Sequence, residues 1–267
     1  MKIEIVAIVL GTFFRTAAAA AIGSWLALAT CPVVLGADGA QAAAAAKESA
    51  KALSDYAAGL ARSGRRPDYS KPPIAEHFRH IFDFETLAAL PPPQRRDIEW
   101  VADWVETAVS SYKTLAMLGV EEGSDLRRVL QVVARNWAEF ENENIAAHAF
   151  VLRLRARTAS TAAIIVNSQP VAQRAELRKT ALEPIGQPLV RTAFAAIEMM
   201  SARLKPQNAR LMMAAIHDTV TDWAPYTSAK ERNRILGHLE KARAANPGAG
   251  IDEDVTAISA AIGKSSN

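Results

Sequence analysis

The sequence predicts an all-α protein, a bundle of long antiparallel helices with an N-terminal helical arm. Apolar side chains recur at alternating spacings of three and four along most of the chain beyond residue 94, which is the seam of helices packed lengthwise. Most glycines and prolines beyond residue 94 fall between those seams, with Pro184, Gly186, Pro188 and Gly237 as exceptions. No convincing run alternates β-branched and polar residues, so no strand is expected.

The first 42 residues read as a signal sequence or membrane anchor. Lys2 opens the chain, Arg15 interrupts the first apolar stretch, and Thr16 to Ala37 carries no charge. Small residues recur in Ala40-Gln41-Ala42, the pattern of a signal peptidase site, and cleavage is expected near Ala42. A retained anchor is the second reading. A third comes from Leu28-Ala29-Thr30-Cys31, which resembles the lipobox of bacterial lipoproteins, although Thr30 and Pro32 depart from that pattern. Cys31 is the only cysteine of the chain, so its removal leaves no thiol for disulfides, thiolate metal sites or thiol catalysis.

Residues 43–93 are expected to form an Ala-rich helix, a Pro-rich linker and a short helix. Ala42 to Arg62 has high helix propensity and few large apolar side chains, so it reads as exposed or loosely docked. Arg65 to Pro73 has no apolar periodicity and reads as the linker, and Phe78, Ile81, Phe82 and Phe84 are the greasy side of the short helix beyond it.

Residues 94–267 form the predicted bundle domain. Ile98, Val101, Val105, Ala108, Tyr112 and Leu115 make its first seam. Ser124 is placed as an N-cap for a single rod running through Leu126, Leu130, Val133, Trp137, Phe140, Asn144, Ala147, Val151, Leu154, Thr158, Thr161 and Ile165. A rod of about forty residues measures roughly 60 Å. Pro170 stops it, and Pro184 and Pro188 must kink or break the next helix. Further helices lie around Met200, Met212 and Ile235, with a capping box from Ser228 to Glu231, and a short helix begins near Asp252.

Chemistry-bearing motifs are sparse. No His has Glu three residues before it, so the di-metal carboxylate pattern fails, and no His is followed by Glu as a zinc-protease helix requires. Ser110 and Lys113 fit Ser-x-x-Lys without the partner motifs that pattern needs. His77 and His80 sit one turn apart with Asp83 a further turn on, a candidate metal face. Asn144 is the one strongly polar residue on the long seam, with His148 one turn along and Tyr112 on another seam; these three are the candidate ligand-binding residues. The competing reading is a polar layer that sets helix register. No cofactor is expected.

The chain has 31 Lys and Arg against 28 Asp and Glu, a net charge of +3 with the basic residues scattered, which argues against nucleic-acid binding. The expected function is therefore an exported, non-enzymatic binding or scaffolding protein of the bacterial cell envelope, periplasmic, secreted or membrane-anchored. Its expected partner is an envelope protein, with the membrane touched only through the N-terminal segment. The alternative is a small-ligand or metal-binding helical bundle.

Overall fold

Ala-rich helix, proline linker and apolar seams resolve, in a computed structural model, into helices that pack on one another; residues 37–62, 65–121 and 123–264 are described. Among these residues every regular element is helical and none is a strand, as the apolar spacing requires. The expected leader and Cys31 lie outside them, except that helix α1 (Ala37–Arg62) already begins ahead of the expected junction at Ala42. No described helix is long and apolar enough to cross a membrane.

Helix α1 is packed, not a loose arm. Its alanines form a smooth stripe that lets α4 (Ile98–Ala116) and α2 (Ile74–Ile81) approach, and Ala43, Ala46, Leu53 and Ala57 are buried there. Trp100 covers the backbone at Gly39, where a Cβ would stand 2.7 Å from the indole. After the linker and α2, Asp83 caps α3 (Phe84–Ala89) by accepting from the Thr86 amide. Asp97 fastens the entry to α4: its carboxylate accepts from the Gln94 amide and from Arg157, at 2.9 and 3.2 Å.

The predicted single rod is two helices, α5 (Leu126–Glu139) and α6 (Glu141–Asn167), separated at Phe140, whose φ of −112° and ψ of 43° leave the helical region. The reason is tertiary. The Phe140 ring is buried edge-on against Tyr69 of the linker, with centroids 5.0 Å apart, and Arg66 lies over its face at 5.2 Å. Arg66 also pairs with Glu139 and donates to Asn136 Oδ1. Periodicity carries straight through such a bend, because it records which side of a helix is greasy and not whether the axis is straight. Two smaller expectations change with it. Asp125, not Ser124, caps α5 by accepting from the Arg128 amide, and Leu126 is 68% exposed instead of belonging to the seam.

Helix α6 is the centre of the molecule, with apolar residues buried on two sides and Arg153, Arg155 and Arg157 only partly covered between them. One side gives Ala147, Phe150, Val151 and Leu154 to a core shared with α1, α2 and α4. Phe150 meets Phe82, Phe84 and Trp104 there, at centroid distances of 5.7, 5.3 and 5.3 Å. The other side gives Ile145, Ala149, Leu152, Ala156 and Ala159 to a second core.

That second core is completed by α8 (Glu183–Met200), α9 (Pro206–Trp223), α10 (Ala229–Ala245) and α11 (Asp252–Lys264). Met199, Met200, Met212 and Met213 are all buried in it, the ordinary packing role of methionine. Helix α8 does not break at its prolines. It continues from α7 (Val171–Leu177) through a π-helical turn at Arg178–Leu182, which interrupts the α-type ladder just ahead of Pro184, and Pro188 is carried inside. The capping box that opens α10 is formed as the sequence predicts, Ser228 and Glu231 each accepting from the other's backbone amide.

Candidate functional site

Tyr112 of α4 and Asn144 and His148 of α6 are all buried, His148 against α8 and Asn144 against the end of α5. The structure brings Tyr112 and His148 into contact, ring edge to ring face, with centroids 5.6 Å apart. His148 Nε2 stands 3.0 Å from the Thr192 carbonyl of α8. A carbonyl only accepts, so Nε2 carries the hydrogen and Nδ1 presents a lone pair. Among the described residues that Nδ1 has no partner. Burial pushes the imidazole pKa down from 6.5 to about 4; the Thr192 hydrogen bond opposes the shift, and the nearby Arg155 charge adds to it. His148 is therefore neutral at neutral pH. Burial likewise raises the Tyr112 phenol above its ordinary value.

Asn144 serves the bend. Its Nδ2 donates to the carbonyls of Phe140 and Asn136, at 2.9 and 3.3 Å, which also accept from the backbone amides of Asn144 and Phe140. Its Oδ1 is buried without a partner among the described residues. Asn136 does the complementary task, donating from Nδ2 to the carbonyls of Ala116 and Leu118 beyond the end of α4. The registry reading of Asn144 thus has a physical basis, while its free acceptor keeps the ligand reading open.

Two residues of this layer escaped the sequence reading. Thr192 Oγ1 donates to the Pro188 carbonyl at 2.8 Å and accepts from Arg155 Nη1, which also reaches the Pro188 carbonyl at 3.1 Å. Burial lowers Arg155 to about 10. Arg155 lies seven residues after His148, which puts both on one face of α6, and that spacing was the available signal. Nothing in the sequence near Thr192 marks it, because its role depends on how α8 lies on α6.

His77 and His80 are on α2, and no third ligand joins them. His80 is exposed with Nδ1 3.3 Å from Ser49 Oγ of α1, and Asp83 has left the helix to cap α3, where it also accepts from the Thr86 hydroxyl. Among the described residues no group of three or more His, Cys, Asp or Glu side chains is placed to hold a metal ion.

The surface offers one further feature. The N-terminal half of α5 is thinly covered: Leu126 is exposed, and Val129 and Leu130 are only partly buried, in a small cluster with Met117, Val133 and Ala134. Arg127 is exposed on its flank, whereas Arg128 and Arg135 are exposed on the other side of the helix. Comparison with protein families, with curated proteins and with solved structures finds no match to this chain.

Proposed function

We propose that the chain is an exported binding or scaffolding protein of the cell envelope that engages a partner protein through α5. The supporting observation is the apolar face of Leu126, Val129 and Leu130 at the surface of α5. An apolar face left at the surface marks an interaction site, and the apolar side of an amphipathic partner segment is the occupant that fits it. Export is supported by the charge-free stretch from Thr16 and the small residues ending at Ala42.

The test is in-cell photo-crosslinking from position 126 combined with fractionation and mass spectrometry of the mature N-terminus. The expected result is an envelope protein crosslinked at 126, lost in Leu130→Glu, and a mature chain starting near residue 43. An intact N-terminus on cytosolic protein, or crosslinks unaffected by Leu130→Glu, would reject the reading.

A second reading is favoured by the two buried, unpartnered acceptors one turn apart, Asn144 Oδ1 and His148 Nδ1. Buried polar atoms are paired in nearly all cases, so such a pair suits a small neutral ligand with two hydrogen-bond donors. Native mass spectrometry finding no small molecule on the purified protein, and none released on denaturation, would count against it.

A further inference from the structure

Ser201, His238 and Glu198 stand in line at the C-terminal end of α8 and on the facing side of α10. Ser201 Oγ is 3.4 Å from His238 Nδ1, and His238 Nε2 is 3.5 Å from Glu198 Oε1. Three side chains from positions 198, 201 and 238 thus form nucleophile, base and orienting acid, an arrangement recognised by roles and geometry whatever the order in the chain. Both distances exceed an ideal hydrogen bond, as catalytic contacts do before a substrate tightens them.

The tautomer is set by the partners. The Glu198 carboxylate, 3.5 Å from Nε2, favours electrostatically the tautomer with its hydrogen on Nε2, which leaves the Nδ1 lone pair facing the serine hydroxyl. Burial lowers the His238 pKa, with the charges of Lys241 and Arg234 adding to the effect, so the ring is neutral and able to accept a proton. Phe194 packs edge to face on the imidazole at 5.5 Å and restricts its rotation. Arg234 lies over Phe194 at 4.6 Å and 3.9 Å from Glu198, so a guanidinium stands at the edge of this cluster.

We propose that Ser201, His238 and Glu198 form a serine-esterase centre acting on short carboxylic esters, with the basic fringe of Arg234 and Lys241 favouring esters that carry an acidic group. As Ser201 Oγ bonds to the ester carbonyl carbon, its proton passes to His238 Nδ1. The carbon–oxygen bond to the alcohol then breaks, and the alcohol leaves with that proton. Water adds to the acyl-serine by the same route in reverse, releasing the acid and restoring the hydroxyl. Ser201 and His238 touch the reacting atoms, whereas Glu198 is a positioning residue. This activity is independent of the α5 surface. Sequence reading missed it because the serine and histidine are 37 residues apart with no local motif around either.

The test uses the purified chain, a fluorophosphonate probe located by tandem mass spectrometry, and hydrolysis of p-nitrophenyl butyrate. Label is expected on Ser201, with both reactions abolished in Ser201→Ala and lowered about 100-fold or more in His238→Gln at unchanged circular dichroism. Glu198→Gln should lower kcat while KM holds. A variant that keeps a nucleophile guards against misfolding: Ser201→Cys should be alkylated by iodoacetamide faster with His238 present than in the His238→Gln background. No label on Ser201, hydrolysis by Ser201→Ala equal to that of the parent chain, or alkylation indifferent to His238 would each overturn the proposal.

Discussion

His148 shows how burial and protonation are linked at a single residue. Its folded pKa of about 4 lies below the ordinary 6.5, so the unfolded chain takes up a proton as pH falls through 6.5 while the folded chain does not until near 4. The stability tied to the neutral ring is present in full above 6.5 and lost on the way down to 4, and amounts to about 3 kcal/mol. His148→Gln keeps a donor for the Thr192 carbonyl and cannot titrate. Urea midpoints measured from pH 7 to pH 4 should therefore fall more steeply for the parent chain than for this variant. Asn136 is the second residue whose worth is local: Asn136→Ala strips the donors from the Ala116 and Leu118 carbonyls. A loss of about 1–3 kcal/mol is expected, seen as a lower urea midpoint at unchanged m-value. Neither effect could be read from the chain alone. The sequence marks Asn144 and His148 as polar residues on a greasy seam, but which atoms they satisfy depends on carbonyls of α5, Phe140 and α8.

At the level of elements, local signals worked where the physics is local. Ser228 and Glu231 form their capping box because both partners lie within one turn, and Ser228→Ala should cost about 1 kcal/mol of thermal or urea stability. Local signals failed where a distant side chain decides. Helix α8 tolerates an internal glycine, which costs about 1 kcal/mol relative to alanine in an ordinary helix, because Tyr226 lies flat on Gly186. A Cβ there would stand 2.5 Å from the ring. Gly186→Ala is thus expected to destabilise, by about 1–3 kcal/mol, despite its better helix propensity. In a Tyr226→Ala background the same substitution should become neutral or stabilising, and a double-mutant cycle by chemical denaturation reads the difference. The break at Phe140 has the same origin: Tyr69 and Arg66, from the linker, hold a ring that would otherwise continue a helix.

For the whole molecule, the decisive feature is that two cores share α6, with Trp104 in one and Trp223 in the other. Neither core is complete without this helix, so unfolding should be one transition, with circular dichroism and tryptophan fluorescence coincident. Leu154→Ala, at a fully buried position of the shared helix, should lower the midpoint of both signals together, at a cost of about 2–5 kcal/mol. Hydrogen exchange should be slowest along α6 and fast in the first turns of α5, where the apolar cover is thin. Separate transitions for the two probes would show that α6 does not couple the halves.

Fold class, most helix boundaries and the buried character of Tyr112, Asn144 and His148 were determined by the sequence itself, since periodicity, caps and proline positions act within a few residues of where they are written. Tertiary structure alone decided the bend at Phe140, the close docking of α1, the passage of α8 through Pro188 and the meeting of Ser201 with His238. Each of these depends on contacts between residues far apart in the chain, whose geometry exists only once the helices have packed.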